Sequence, residues 1–310
     1  MTTQRPWVAV LLVQITLSGC ASLVKLPELT DEVEGELPIR AYARVLHKYV
    51  NDRGEVDFPA LQRDRADLER YLAYVTRTPA SAFSHPWERL AHYINSYNAL
   101  SMYNVIDLGI PDTHAGWRKI RFFVLRKFNI GGKPMSLYAY ENDVIRTLGE
   151  PRVHFALNCV ALGCPILPKK PFTGILLDAE LERETRKFFS EERNLRIDHA
   201  EKKVYLSEIL SFYSEDFTPV YAPSLIAYVN RYVADPIPKD YTVEFIDYDW
   251  TIANARRARP VATASELVKK SSRATGGRVP PERRTVSPGA KRRVSLAGAS
   301  LKDETSNRSV

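Results

Sequence analysis

The amino-acid sequence predicts an α+β fold, a mostly helical single domain with a small β-sheet. Three observations predict it. Apolar residues recur at helical spacing in most segments between residues 37 and 254; extended runs are few and scattered among them; and no internal repeat appears.

The elements follow in order. Ile39, Tyr42, Leu46 and Val50 share one helical face, and Asn51-Asp52-Arg53-Gly54 ends that helix with turn residues. Val56-Asp57-Phe58 is a short extended piece, and residues 59–76 read as a second helix with Leu61, Leu68, Leu72 and Val75 on one side. Ser84-His85-Pro86 starts a long helix that runs to about Ile106. Its apolar face holds Trp87, Ala91, Ile94, Ser101 and Val105, with Asn98 inside the stripe. Asn95 lies three residues before Asn98, and His92 three before that. A hairpin turns at Gly131-Gly132, and Ser136 caps a helix over residues 137–148. Residues 153–157 read as a buried strand that opens into a loop over 158–165. A charged amphipathic helix over 178–191, a strand over 203–206 and a Ser207-capped helix to Tyr213 come next. A helix over 222–233 and a strand over 244–246 then lead into Tyr248-Asp249-Trp250, read as core and strand-end packing.

The ends of the chain read differently. Arg5, an apolar stretch from Trp7 to Leu17 and then Leu17-Ser18-Gly19-Cys20 have the layout of a secretory signal, too short to span a bilayer. Leu-Ser-Gly-Cys resembles a lipobox, which implies cleavage before Cys20 and a lipid on its thiol. Ala21 in the following position resembles lipoproteins sorted to the outer membrane. The expected organisation is a signal peptide at 1–19, a lipid-anchored tether at 20–36, a globular domain at 37–254 and a basic disordered tail at 255–310. Hydrophobic residues at 45% and charged residues at 26% suit a globular domain. The net charge of +7 is a property of the tail: residues 256–310 hold 14 Lys/Arg against 4 Asp/Glu, leaving −3 for the rest. The expected partners are therefore the membrane, through the lipid on Cys20, and an anionic envelope polymer or lipid head groups, through the tail. No nucleic acid is expected at that location, and no cofactor or metal is assigned.

Five blocks resemble, in order, the domain of unknown function 547 family. They are Trp87 with Ile94-Asn95-Ser96-Tyr97-Asn98-Ala99-Leu100; Gly131-Gly132 with Ser136-Leu137, Glu141 and Ile145-Arg146; Pro151 to Cys159 with Cys164-Pro165; Leu206 to Ile209 with Phe212-Tyr213 and Asp216-Phe217; and Tyr248-Asp249-Trp250. The resemblance spans about residues 37–254 and implies no activity. The second block departs from the family pattern, since Asn142-Asp143 stands where a histidine usually follows the acid.

Chemistry centres on Cys159, the expected nucleophile of a thiol site. His154 and His92 are the bases to weigh, with Asn95 or Asn98 as orienting amide for His92. In a regular strand His154 and Cys159 face opposite ways and lie roughly 16 Å apart, so a direct pair needs a bend near Asn158. Asn98, Glu141, Asn158 and Cys164 are the expected pocket-lining residues. Alternatives stand beside this one. A disulfide between Cys159 and Cys164 suits an exported chain. A redox-active pair combines both readings. His154, Cys159 and Cys164 as metal ligands lack an evident fourth. Asn98 also reads as a tie between its helix and the backbone of residues 153–158. Two functions follow: a non-catalytic binding or scaffolding module of the cell envelope, or a thiol-dependent hydrolase of the Cys-His type acting on an envelope peptide or amide.

Overall fold

The computed structural model describes residues 21–26 and 36–256. The expected signal peptide, Cys20, most of the expected tether and the expected tail beyond Arg256 lie outside the described residues.

The domain is α+β, as the periodicity predicts, but its strands form two three-stranded sheets rather than one. The first sheet joins β1 (Ser22–Leu23), β2 (Arg126–Ile130) and β3 (Lys133–Ser136). β2 and β3 form the expected antiparallel hairpin, with Gly131 and Gly132 both at positive φ in the turn. β1 pairs parallel with β2, Ser22 opposite Arg126, and Val24 and Leu26 are buried in the core. This stretch is therefore part of the domain and not a free tether: its backbone pairs with β2, the Val24 amide donating to the Lys127 carbonyl at 2.8 Å, and two of its apolar side chains are buried. The second sheet joins β4 (Leu195–Asp198), β5 (Lys203–Ser207) and β6 (Thr242–Ile246), with β5 antiparallel to β4 and parallel to β6.

Helices α1 (Pro38–Tyr49), α2 (Phe58–Arg63) and α3 (Ala66–Arg77) lead the domain. The helix expected over 59–76 is two helices, broken at Asp64 and Arg65. The Tyr49 hydroxyl holds that break by donating to the Asp64 carbonyl at 3.0 Å. The central helix α4 (Pro86–Asp107) starts as its sequence predicts, with Pro86 in the first turn and the His85 ring accepting from the Trp87 amide. It is more deeply placed than a one-faced stripe requires: every residue from Leu90 to Ile106 is buried. Beyond α5 (Trp117–Ile120) the helical path continues through a wider π turn, Arg121–Leu125, into β2.

After β3, α6 (Leu137–Ala139) begins under the expected Ser136 cap, whose hydroxyl accepts from the Ala139 amide at 3.1 Å. It widens into a π turn, Tyr140–Ile145, that places Glu141 inward, and ends at Gly149 with φ +70°. Residues 153–157 are not a strand. Pro151 and the Glu150 carboxylate, which accepts from the Arg152 amide, start a 3₁₀ helix over Pro151–Phe155. The pyrrolidine ring and the local cap override the apolar run. Helices α7 (Leu177–Phe189), α8 (Ile209–Phe212), α9 (Ser214–Phe217) and α10 (Leu225–Val229) complete the fold.

A larger core surrounds α4, and a smaller aromatic core gathers Phe155, Phe188, Phe217 and Tyr228 beside the second sheet. The chain after β6 clasps the cysteine loop: the Leu162 amide donates to the Thr251 carbonyl, Gly163 to Asp249 and Ala253 to Val160, at 2.7–2.8 Å.

Candidate functional site

The cysteine loop leaves the 3₁₀ helix held from beneath by α4. The Asn98 side-chain amide donates to the Ala156 carbonyl at 3.0 Å, and its oxygen accepts from the Asn158 amide at 2.7 Å. Asn98 thus fills the structural role that its place in the stripe allows, tying its helix to the backbone that follows His154. Asn158 is spent inside the loop, donating to the Pro165 carbonyl and accepting from the Val160 amide, both at 2.7 Å. Asn95 closes a two-bond link with the Phe172 backbone. Asn98 and Asn158 position the loop, Asn95 holds the chain beyond it, and none of the three lines the cavity above. His92 is also elsewhere. It packs in an aromatic cage against Tyr74, Phe83 and Tyr93, and burial lowers its pKa to about 4. No His92–Asn95–Cys159 arrangement assembles.

Cys159 and Cys164 meet instead. Both are buried, both are free thiols, and their sulfurs are 3.1 Å apart. That is wider than the 2.05 Å of a disulfide, so the crosslink expected for an exported chain is not formed here, although its partners are juxtaposed. A tight loop brings them together, with Val160 at φ +59° and the Cys164 amide donating to the Ala161 carbonyl at 3.1 Å. The Tyr248 hydroxyl lies 2.9 Å from the Cys164 sulfur and 3.5 Å from that of Cys159. Burial raises the Tyr248 pKa well above its ordinary value, with the nearby cysteine charge adding to it, so this phenol remains a donor.

The two thiols differ in acidity. Cys159 is raised well above a normal thiol, first because its S–H is engaged by Cys164 and second by burial. At Cys164 burial opposes ionisation most, but the Cys159 S–H, the Tyr248 O–H and backbone amides together outweigh it and lower the pKa. The Cys159 amide, 3.2 Å from the Cys164 sulfur, is one of those donors. Of the two, Cys164 is therefore the one that ionises more readily.

A cavity of about 60 Å³ opens over the pair, bordered by both cysteines, Glu141, His154, Tyr248 and Trp250. It has room for a few waters. Glu141 accepts hydrogen bonds from Tyr97 at 2.7 Å and Tyr213 at 2.5 Å. His154 stacks on the Tyr213 ring at 4.0 Å, and its Nε2 is 2.7 Å from an Asp216 oxygen. Arg146 holds the same carboxylate through two bonds, at 2.7 and 2.9 Å. Burial is the largest single influence on Asp216 and opposes ionisation; the bonds and charges of His154 and Arg146 outweigh it and hold the carboxyl well below its usual range. His154 and Cys159 thus border one cavity, brought there by the 3₁₀ turn rather than by a strand. With Nε2 taken, His154 has only Nδ1 to offer, and among the described residues no cluster of three His, Cys, Asp or Glu is arranged to hold a metal ion.

The central helix, the hairpin and the cysteine loop lie in one contiguous stretch of sequence. Residues 81–189 match the model of a family described as a protein of unknown function, DUF547. The DUF547 stretch carries α4, Glu141, His154 and both cysteines, while Tyr213, Asp216 and Tyr248 come from beyond it. No curated protein and no solved structure matches the chain.

Tyr97, Tyr213, Asp216 and Tyr248 were not singled out by sequence reasoning as site residues. Nothing local marks them: Tyr248 is 84 positions from Cys164, and Asp216 is 62 from His154. The recurrence of Tyr213, Asp216 and Tyr248 in the resembling blocks was the one available signal.

Proposed function

We propose that the chain is a cell-envelope lipoprotein, anchored through Cys20, whose domain performs thiol–disulfide exchange in the Cys159–Cys164 cavity. The lipobox-like Leu17-Ser18-Gly19-Cys20 supports the location. The exchange reading is carried by one observation: two thiols touch at 3.1 Å, with a phenol hydroxyl 2.9 Å from the Cys164 sulfur. In the forward direction the Cys164 thiolate attacks one sulfur of a small disulfide. The substrate S–S bond breaks, and the departing sulfur leaves as thiolate and takes up a proton. The Cys159 thiol then gives up its proton and attacks the Cys164 sulfur, releasing the second substrate thiol. The substrate gains two electrons, and the pair ends as the disulfide that an exported chain favours.

A second reading rests on His154. Oriented by Asp216 at the same cavity, it offers Nδ1 to receive a thiol proton, the arrangement of a Cys-His hydrolase acting on an envelope peptide or amide. The sulfurs contact each other and Tyr248, which favours exchange.

Mass spectrometry of the purified protein, titrated through thiol–disulfide buffers, tests the proposal. The expected result is reversible loss of two hydrogens from the peptide spanning both cysteines. Cys159→Ser should trap a mixed disulfide on Cys164, and Cys164→Ser should remove exchange. A covalent acyl adduct with an activated ester, lost in His154→Ala, would instead select the hydrolase. Thiols inert to both probes would leave a non-catalytic binding or scaffolding module. Analysis of the N-terminal peptide tests the anchor directly, a diacylglycerol on Cys20 being the expected modification.

A further inference from the structure

The helical stretch leading into β2 has two unlike faces. Its inner face supplies Phe122 to the core and Phe123 to the cavity wall. Its outer face carries Trp117, Ile120 and Val124, spaced by three and four residues, with 67%, 41% and 44% of their surface exposed. Such spacing puts them on one side of a helix. Cations interleave with them. Arg118, Arg121 and Lys127 are exposed, and among the described residues none of the three makes a side-chain ion pair or hydrogen bond. Exposed Trp and aliphatic side chains among unpaired basic residues form the pattern of an element lying in a lipid–water interface.

The start of the described chain adds a second, independent observation. β1 lies parallel against β2, Ser22 opposite Arg126 and Leu23 opposite Lys127, with Leu23 61% exposed. Cys20 is two residues before Ser22, and two extended residues reach at most about 7 Å. Whatever Cys20 carries is thus tied within that reach of the start of β2, the strand that the helical stretch leads into.

We propose that the face carrying Trp117, Ile120 and Val124, with Arg118, Arg121 and Lys127 around it, docks on an anionic phospholipid surface. The argument from Cys20 rests on the lipoprotein reading; the exposed apolar and basic residues do not. Docking sets the domain in one orientation, with the thiol cavity one helix away from the head groups, since Phe123 on the same helical stretch borders it.

The test uses the full-length protein reconstituted into phosphatidylcholine vesicles with and without phosphatidylglycerol. Ile120→Cys is labelled with an environment-sensitive fluorophore; both cysteines of the cavity are buried, and a parallel preparation without the added thiol corrects for them. Lipids brominated in the acyl chain should quench the probe strongly, and aqueous iodide weakly. Replacing Arg118, Arg121 and Lys127 by Ala should weaken that docking on anionic vesicles by about a hundredfold at low salt. Ready quenching by iodide would overturn the proposal, because the face then stands in water. Shielding from both quenchers would also overturn it, because protein then covers the face. A Cys20 without lipid, alongside a probe quenched by brominated chains, would remove the anchor and leave the docking intact.

Discussion

At the scale of single residues, Tyr248 adds to the Cys159 S–H in making Cys164 the more acidic sulfur. Its hydroxyl is the nearest side-chain oxygen donor to Cys164, and the Tyr97–Glu141–Tyr213 network fills the other wall. Tyr248→Phe keeps the ring packed against Trp250 and removes only the donor, so the Cys164 thiolate loses one of its supports. The pH profile of Cys164 alkylation should move to higher pH, with the fold unchanged by circular dichroism. An unmoved profile would assign the acidity to the Cys159 S–H and the backbone amides. Asn98 makes a different prediction. Asn98→Ala leaves the Ala156 carbonyl and the Asn158 amide buried without partners. The expected cost is about 3 kcal/mol, read as a lower denaturation midpoint.

At the scale of elements, the cysteine loop is shaped by what grips it. A Cβ on Gly163 would come within 2.9 Å of the Asp249 amide nitrogen and the Tyr248 ring. Gly163→Ala should destabilise the domain by about 1–3 kcal/mol and loosen Tyr248 from Cys164, seen as slower alkylation at neutral pH. The elements that were legible in the sequence carry their own start and stop signals: α4 with Pro86, the hairpin with its two glycines, α6 with Ser136. The apolar run at residues 153–157 predicts a strand, whereas a single proline and a cap make residues 151–155 a 3₁₀ turn. β1 and β4 went unseen because short strands acquire their identity from a partner strand, not from their own pattern. The π turn carrying Glu141 is likewise set by packing, since nothing in its sequence separates it from an ordinary helix.

At the scale of the whole molecule, two buried histidines set a dependence on acid. Burial lowers both His92 and His114 to about 4, and for His114 a hydrogen bond to the Cys159 carbonyl opposes this. The unfolded chain binds these protons near pH 6.5, the folded chain only near 4, so acid favours unfolding across that window. Stability should be complete above about pH 6.5 and fall as the pH drops towards about 4. Denaturant midpoints measured across this range check it, and His92→Phe, which keeps an aromatic ring in the cage, should flatten the slope. Asp216 acts lower: its carboxyl is depressed by His154 and Arg146 against the opposing effect of burial, so its contribution is present above about pH 4 and lost below.

The sequence by itself determined the fold class, the long central helix, the hairpin, the cysteine loop and the expectation of an anchor at Cys20. These rest on local signals: periodicity, caps, glycine turns and a lipobox. Tertiary structure alone decided that Cys159 faces Cys164 rather than a histidine, that Cys164 is the more acidic thiol, and that Tyr248 and Asp216 serve the two halves of the cavity. Acidity and contact depend on distance in space and on burial, and chain order constrains neither once residues 60 to 90 positions apart are packed together.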